Sequence, residues 1–378
     1  MKKLAIAIVL LTMIAGVGAV GLTAQDEILI GANYALSGAV ALFGQACLNS
    51  AKMVYDEINA NGGLLGKQIK LIAADNKSDA EESGRMATKL ITQDNVVAIL
   101  GPVTSTNCFA AAPICQEKGV LMITPTGTNV KVTQFGSFIF RACFIDDFQG
   151  EVMANFALKN LKAKKAAILF DNQSDYAKGL AVYFKKVFTA GKGKIVAEES
   201  FMPDDKDFRA VLNKIRLKKP DVIYVPCYYQ PAGLIAKQAR EMKMKQPLLG
   251  ADGWDQVEEL PKIAGKAALN KVYFSNHFSP ESKNPLAVKY VKAYKELYGI
   301  LPDALAALGY DAALLVADAI KRAGSTDHDK IRAAMASTKG FRGVAGTISM
   351  DENRNPTKAA VVIEYVNGVQ KYVATVEP

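Results

Sequence analysis

Residues 101–129 read GPVTSTNCFAAAPICQEKGVLMITPTGTN, a stretch with two turns rich in small hydroxyl residues. Each turn follows a short apolar run, residues 96–100 before the first and residues 120–123 before the second. An apolar run, a hydroxyl turn and an Ala-rich segment predict a buried strand, a turn and a helix, with Ser105 as the N-cap. Strands that alternate with helices in this way predict a parallel sheet covered on both faces.

The two turns suit a negatively charged ligand. A helix start offers unpaired backbone N–H groups and a partial positive charge, which attract a carboxylate or a phosphate. Thr104 and Ser105 in the first turn, and Thr126 and Thr128 in the second, add hydroxyl groups. Ordinary helix capping explains either turn taken alone, because Ser and Thr are common N-caps.

The N-terminus has a different pattern from the rest of the chain. Lys2 and Lys3 precede an apolar run at residues 4–14, and small residues end near residue 19 or residue 24. This pattern is typical of a secretory signal peptide, so residues 1–24 are predicted to be removed. A retained membrane anchor is the alternative, although the run is short for a membrane span of about 20 residues. No cysteine precedes Cys47, so we expect a periplasmic protein without a lipid-anchored cysteine.

The length and charge of the chain also limit what it does. Its 378 residues, half of them hydrophobic, are enough for two domains with separate cores. The formal charge of +9 falls to +7 without Lys2 and Lys3, since 9 − 2 = 7. The positive charge is dispersed and no recognition motif accompanies it, so we expect no nucleic-acid partner.

The cysteines give no sign of a metal or a cofactor. Cys47, Cys108, Cys115, Cys143 and Cys227 are an odd number, so at least one is unpaired or pairs between chains. A bridge between Cys108 and Cys143 is conceivable. No Cys/His spacing suits a metal site, so we expect no metal and no cofactor.

The middle of the chain repeats the pattern of its beginning. Strands and helices predicted at residues 165–249 follow the order and spacing of those at residues 27–123, with offsets of about 125 to 140 residues. Two similar α/β lobes with parallel sheets explain this repeat. In such sheets the ligand binds beyond the C-terminal ends of the strands, so we expect a site in a cleft between the lobes.

The two predicted walls of the cleft have complementary chemistry. The first lobe contributes the hydroxyl turns, and the second contributes Tyr176, Tyr228, Tyr229, Asp252 and Trp254. An α-amino acid fits both walls, because it presents a carboxylate to the turns and an ammonium to Asp252. The alternatives are a plain turn aspartate at Asp252 and a tyrosine that caps the core at Tyr228.

Several short motifs occur in an order that is similar to a known family. They are IGANYALSG at 30–38, FG at 43–44, EINANGG at 57–63, GPVTS at 101–105, ITP at 123–125, FR at 140–141, QG at 149–150 and ADGWD at 251–255. The mature chain, almost end to end, resembles the exported solute-binding proteins of branched-chain amino acid ABC transporters, of the leucine/isoleucine/valine-binding type. The resemblance implies a monomeric receptor that delivers an amino acid to a membrane permease.

The family fold implied by the resemblance is the type I periplasmic binding protein. It has two Rossmann-like α/β lobes with parallel sheets, joined by three hinge crossovers that let the lobes close on the ligand. The implied hinges are residues 141–147, 274–278 and 351–357. The implied lobes are residues 25–142 with 277–351, and residues 143–276 with 352–378.

The resemblance also implies roles for individual residues. Carried over by position, the backbone and hydroxyl groups of Ser105 and Thr128 hold the ligand carboxylate. The carbonyl of Thr126, together with Thr128 and Asp252, holds the ammonium group.

Phe43, Tyr176 and Tyr228 line the side-chain pocket by the same resemblance. Phe43 stands where well-known members carry tyrosine, and Asp252 stands where they carry glutamate. Asp252 is shorter than glutamate, and Trp254 just beyond it is expected to narrow the pocket. The identity of the ligand side chain is therefore left open.

Two other functions remain as alternatives. His277 and His328 are the two histidines of the chain, and neither lies in a nucleophile or phosphate-loop motif, although a carboxylate-based hydrolase stays open. A sensor of the same fold that binds amides or urea is the nearer alternative. Asp252 discriminates against it, because a neutral amide gives an acid no charge to pair with.

Overall fold

The structure is a computed structural model that describes residues 27–378. The predicted signal peptide lies outside the described residues. The strands are β1 Ile28–Tyr34, β2 Ile69–Asp75, β3 Ala98–Leu100, β4 Leu121–Thr124, β5 Ile139–Arg141, β6 Lys165–Asp171, β7 Lys194–Phe201, β8 Val222–Tyr224, β9 Leu248–Gly250, β10 Val272–Asn276, β11 Phe341–Gly343, β12 Gly346–Ile348, β13 Ala360–Val366 and β14 Val369–Val376. The helices are α1 Ala41–Ala60, α2 Ala80–Thr92, α3 Ser105–Glu117, α4 Asp146–Lys159, α5 Asp175–Ala190, α6 Arg209–Leu217, α7 Tyr229–Glu241, α8 Glu259–Ala264, α9 Pro285–Tyr298, α10 Ala304–Ala323 and α11 His328–Ala336.

Two parallel sheets of the same topology form the centres of two lobes. The sheet of lobe 1 has the order β2-β1-β3-β4-β5, and all its strands are parallel. The sheet of lobe 2 begins with the equivalent order, β7-β6-β8-β9-β10, and is extended by the antiparallel strands β13 and β14. The repeated order confirms the predicted α/β class and the two similar lobes.

The central strands are apolar because helices cover both faces of each sheet. Every residue of β3 and β4 is buried in lobe 1, and every residue of β8 and β9 is buried in lobe 2. Parallel strands that are buried on both sides read as continuous apolar runs, which is why these short strands were detectable in the sequence.

Local capping chemistry sets where several helices begin. The carboxylates of Asp79 and Asp303 and the hydroxyl of Ser174 accept hydrogen bonds from the first turns of α2, α10 and α5. Helix α3 corrects one prediction, because its N-cap is Thr104 and not Ser105. The Thr104 side chain accepts the N–H of Asn107, and Ser105 is the first helical residue.

The chain passes between the lobes three times. It leaves lobe 1 after β5 and enters lobe 2 at α4, and it returns after β10 to form α9, α10 and α11. Helix α10 packs against α1, so this later segment belongs to lobe 1. The third passage precedes β13, which pairs with β10 in lobe 2.

Some elements were not assigned from the sequence. Strand β5 has three residues, and helix α4 follows it after a short connection.

All five cysteines are buried free thiols, so the conceivable bridge between Cys108 and Cys143 is absent. Among residues 27–378, no helix has both the length and the apolar character needed to cross a membrane.

Candidate ligand-binding site

The two lobes are closed on each other at the ends of their parallel strands. The ring of Phe43, in the first turn of α1, meets the edge of Tyr228 at 5.7 Å and of Tyr229 at 5.3 Å between ring centroids. The Tyr229 hydroxyl also donates to the carbonyl of Ala39 at 3.3 Å. Phe43 and Tyr228, predicted on opposite walls, are therefore in direct contact.

Polar contacts across the cleft surround Asp175, at the start of α5. The hydroxyl of Thr106 donates to the Asp175 carboxylate at 3.2 Å and accepts the Asp175 N–H at the same distance. The Asn129 amide donates to the Asp175 carbonyl at 2.8 Å. Lobe 2 thus contacts both hydroxyl turns of lobe 1.

The two hydroxyl turns are bonded to each other by their own side chains. Thr124 donates to the carbonyl of Pro102 at 2.5 Å, and Thr126 donates to the carbonyl of Val103 at 2.6 Å. The Ser105 hydroxyl accepts the N–H of Asn129 at 3.1 Å. These bonds fix the first turn against the second, so much of the hydroxyl content serves to hold the shape of the site.

Glycine at position 101 lets the first turn approach β1. Gly101 has φ +101° and precedes a cis peptide bond to Pro102. A Cβ atom here would collide with the carbonyl of Asn33 in β1. The site lies between β1 and β3, where the strand order reverses, which is where doubly wound sheets bind ligands.

Buried Arg141 supports the second turn from below. Its guanidinium donates to the carbonyl of Gly127 at 2.8 Å and to the carbonyl of Asn129 at 2.9 Å. The side chain is fully buried at the end of β5. Arg141 therefore places Thr128, which lies between its two acceptors, in a fixed position.

Thr128 has an available hydroxyl at the centre of the site. Its Oγ1 is buried and has no hydrogen-bond partner in the described part of the chain. Oδ2 of the Asp146 carboxyl likewise has no hydrogen-bond partner in the described part of the chain. Buried polar atoms usually have partners, and a bound ligand would supply them here.

Asp252 lies opposite, held by three side chains. Tyr176 donates to its Oδ1 at 2.7 Å and Gln149 donates to the same oxygen at 3.0 Å. The Nε2 atom of His277 lies 3.2 Å from Oδ2. Asp252 is 5% exposed, so this acid is oriented by neighbours and largely withdrawn from solvent.

A second acid, Asp146, lies in the same region. Burial raises its pKa well above the usual range, and the negative charge of Asp252 raises it further. Two carboxyl groups in one buried site do not both ionise readily, and the raised pKa of Asp146 favours its neutral form. Asp252 is then the acid of the pair that is available to a cationic ligand group.

Aromatic rings form the rest of the wall. Tyr176 and Tyr228 stack with a centroid distance of 5.2 Å and an interplanar angle of 5°. Burial raises the pKa of both phenols well above the usual value, so both rings are uncharged. The stack meets Phe43 from lobe 1, which gives an apolar surface beside the acid.

The structure assigns Trp254 to the core of lobe 2. Its indole N–H donates to the carbonyl of Val225 at 3.0 Å, and the ring packs directly on Gly250. It is 1% exposed. Trp254 therefore has a packing role in lobe 2, and Thr104 caps helix α3.

Three functional residues were missed by sequence reasoning. Asp146, Gln149 and His277 all lie at the passages between lobes, and none belongs to a local pattern of binding residues. Gln149 bridges distant segments, because it also accepts the Asp252 N–H and the Ser275 hydroxyl, each at 3.0 Å. The QG pair at 149–150 is one of the motifs in the sequence, but it did not indicate this contact.

Comparison with known proteins shows similarity to one protein family over most of the chain. Residues 27–370 match the sequence profile of a family described as periplasmic binding protein. The chain is 33% identical over 343 residues to the Leu/Ile/Val-binding protein BraC3 of Rhizobium johnstonii, which covers 88% of this chain and 90% of that protein.

Two solved structures are similar to this chain over almost its whole length. The branched-chain amino acid transporter substrate binding protein LivJ of Streptococcus pneumoniae, in complex with isoleucine, has a TM-score of 0.88 and 38% identity, covering 93% of this chain and 100% of that chain. An ABC transporter solute binding protein from R. palustris, in complex with benzoate, has a TM-score of 0.85 and 26% identity, covering 93% and 97%.

Proposed function

The chain belongs to the periplasmic binding protein family, as a substrate-binding protein of the ABC transporter type, and from this premise we propose that its ligand is an aliphatic α-amino acid. The ligand binds between the lobes and is delivered to a membrane permease. A matching binding protein in complex with isoleucine, and relatives with Leu/Ile/Val-binding names, support this class of ligand.

One observation carries the proposal. Asp252 is a buried, oriented acid that faces the site from lobe 2, and the hydroxyl turns face it from lobe 1. A charge buried without a partner is costly, so a cationic ligand group is favoured beside Asp252. The unpartnered hydroxyl of Thr128 and the first-turn N–H of Ser105 suit a carboxylate.

The aromatic side of the cleft supports an apolar side chain. Phe43, Tyr176 and Tyr228 present ring faces and edges beside Asp252. An aliphatic side chain gains about 25 cal/mol for each Å² of apolar surface that it buries against these rings.

Closure of the lobes completes the site in our mechanism. The carboxylate docks on the turns around Ser105 and Thr128, and lobe 2 then moves Asp252 and the tyrosines over the ligand. Hydrogen bonds of Asp175 to Thr106 and Asn129 hold the closed form. Movement occurs at the passages near residues 141–147, 274–278 and 351–357, between lobes 25–142 with 277–351 and 143–276 with 352–378.

The remaining parts of the proposal concern the state of the protein in the cell. We propose that it acts as a monomer without a cofactor, that it is not an enzyme, and that it reaches the periplasm through a cleaved signal peptide.

A neutral or purely anionic ligand is the second candidate, because a matching binding protein holds benzoate. Asp252 argues against it, since an aromatic carboxylate has no cationic group for a buried acid. An amide or urea ligand fails by the same reasoning.

A ligand screen tests these classes against one another. Thermal shifts of the mature protein are measured with the twenty amino acids, benzoate, 4-hydroxybenzoate, urea and acetamide. A ligand that binds the folded state alone at a hundredfold excess over its Kd adds about 2.7 kcal/mol of stability. We expect a shift with leucine, isoleucine or valine; a shift confined to benzoates or amides would overturn the proposal.

A further inference from the structure

His277 contacts the acid of the proposed ammonium site from a position between the lobes. It follows β10 directly, and its backbone N–H donates to the side-chain oxygen of Asn276 at 2.9 Å. The Asn276 amide in turn donates to Asp255 at 2.8 Å. Its ring lies against Phe144, with centroids 3.6 Å apart and planes inclined by 30°. The imidazole is therefore held in one place and is not a mobile surface group.

The hydrogen bonds of Asp252 leave little room for a ligand donor. Oδ1 already accepts from Tyr176 and Gln149, which fills both of its acceptor positions. Oδ2 faces Nε2 of His277, so one acceptor position remains on this oxygen. A ligand ammonium that binds Asp252 must therefore share Oδ2 with His277.

The protonation state of His277 determines whether an ammonium group can bind Oδ2 of Asp252 beside the imidazole. Since a carboxylate accepts hydrogen bonds, Nε2 carries the hydrogen, and a neutral ring leaves Nδ1 as an acceptor. Nδ1 is buried and has no partner among the described residues. A neutral ring orients Oδ2 without cancelling its charge. A protonated ring neutralises that charge and repels an ammonium group.

The groups around the ring favour the neutral form. Burial lowers the pKa of His277, Lys358 lowers it further, and Asp252 opposes both. Burial raises the pKa of the Asp146 carboxyl well above its usual range and that of the Cys143 thiol to about 12, and both shifts favour uncharged groups beside the ring.

A cavity outside the closed cleft borders His277. His277 lines a cavity of about 1190 Å³ between the passages of the chain and β14. Lys358, Ser279 and Thr357 line the same cavity, and its rim includes the exposed residues Lys283 and Glu377. His277 thus contacts Asp252 and borders this cavity, while its side chain has no exposed surface.

We propose that His277 is a positioning residue and a charge gate of the ammonium site: when neutral it holds Oδ2 of Asp252 for the ligand, and when protonated it excludes an ammonium ligand. This inference rests on the proposed function. Because the ammonium binds the unprotonated form, leucine affinity falls as pH drops through the pKa of His277 in the free protein, by at most about tenfold for each pH unit. A ligand without an ammonium group does not follow this dependence.

Calorimetric titration from pH 5 to pH 8 tests the gate with two matched ligands, L-leucine and its hydroxy analogue 2-hydroxy-4-methylpentanoate. We expect the wild type to lose leucine affinity at the acidic end, while the hydroxy acid, which binds more weakly beside Asp252, shows no such loss. In His277→Gln, which keeps an N–H donor but does not titrate, the leucine affinity becomes constant with pH. In His277→Leu, which lacks the donor, leucine binding weakens at every pH.

The outcomes separate the gate from the proposed function. If the wild type binds leucine and His277→Gln keeps the wild-type pH profile, the gate is wrong and the ligand assignment stands. If the wild type binds no amino acid at all, both the gate and the ligand assignment are wrong.

A second measurement does not depend on a variant that folds. The chain has two histidines, so NMR titration follows His277 beside His328 as the internal control. Saturation with leucine should lower the pKa of His277 and leave that of His328 unchanged. An unchanged His277 pKa would overturn the gate.

Discussion

Tyr176 and Asp252 are joined by a 2.7 Å hydrogen bond from the phenol to Oδ1, and the same phenol accepts the N–H of Gly253 at 2.9 Å. Tyr176 lies in the first turn of α5 and Asp252 follows β9, so one hydroxyl group ties two loops of lobe 2 together. The acid that we assign to the ligand ammonium is thus oriented by a residue of the aromatic wall.

Tyr176→Phe tests this link. The variant keeps the ring stack with Tyr228 but removes the acceptor of the Gly253 N–H. It also removes one of the two donors to Oδ1 of Asp252, so that Gln149 remains as the donor to this oxygen. We expect leucine affinity to fall by about 1 to 2 kcal/mol, the cost of a buried hydrogen bond, as measured by calorimetry. Tyr372→Phe, at an exposed tyrosine of β14, is the matched control and should bind as the wild type does.

Asp252→Ala removes the charge itself. Loss of a desolvated charge pair should weaken amino acid binding by about 2 to 5 kcal/mol. Asp252→Asn keeps the shape but not the charge, and it should lose most of the same affinity for leucine. Binding of leucine with unchanged Kd in both variants would contradict the assignment of this acid to the ammonium group.

Ser105→Ala tests the carboxylate side. The hydroxyl accepts the Asn129 N–H and so joins the two turns, but backbone donors at the start of α3 remain in the variant. We expect a loss of about 1 to 3 kcal/mol in calorimetric affinity. Complete loss of binding by a normally folded variant would mean that the hydroxyl, and not the helix start, holds the ligand.

Thr106→Val tests the contact that holds the lobes closed. It removes the hydrogen bonds to both the carboxylate and the N–H of Asp175. We expect faster dissociation of leucine, equivalent to about 0.5 to 1.5 kcal/mol per hydrogen bond, with little change in the association rate. Stopped-flow fluorescence measures both rates, and Thr92→Val on the exposed side of α2 serves as the control. Equal dissociation rates in the two variants would place the latch elsewhere.

Asp311→Asn tests a buried acid outside the cleft. Burial raises the pKa of Asp311 to about 6, although Lys358 and the N–H groups of Val344 and Ala345 partly offset this effect. A folded-state pKa above the unfolded value means that stability is full at low pH and is lost as pH rises from about 4 through about 6.

Denaturant unfolding at pH 4.5 and pH 7.5 should therefore show a smaller change in unfolding free energy for Asp311→Asn than for the wild type, by about 1 to 3 kcal/mol. The variant loses some stability at both values, since its amide presents N–H to a backbone N–H. The difference between pH values is the readout, and an identical difference in both proteins would show that Asp311 is ionised throughout.

Long elements could be predicted from the sequence, because one periodic pattern defines each of them. Strand β6 at Lys165–Asp171 and helix α5 at Asp175–Ala190 lie within residues 165–249, where the sequence predicts alternating strands and helices. Helix α4 was not assigned because its buried residues include the consecutive Val152, Met153 and Ala154, which lie on more than one face. No single apolar stripe marks such a helix.

The site was harder to predict than the fold. Thr104 and Ser105 are adjacent hydroxyl residues, and sequence alone gives no reason to choose between them as the cap. Gln149 reaches Asp252 across 103 residues of sequence, a contact that follows from the packing of α4 beside β10. Such contacts depend on three-dimensional packing and have no local pattern.

The order of the strands along the chain also determines when each lobe can form during synthesis. Helix α10 covers α1 in lobe 1, and β13 pairs with β10 in lobe 2, so segments that are made late complete both lobes. A growing chain therefore exposes the surfaces of α1 and β10 until almost all of it has left the ribosome. A protein that crosses a membrane before it folds benefits from this order, since neither lobe is complete while the chain is being made.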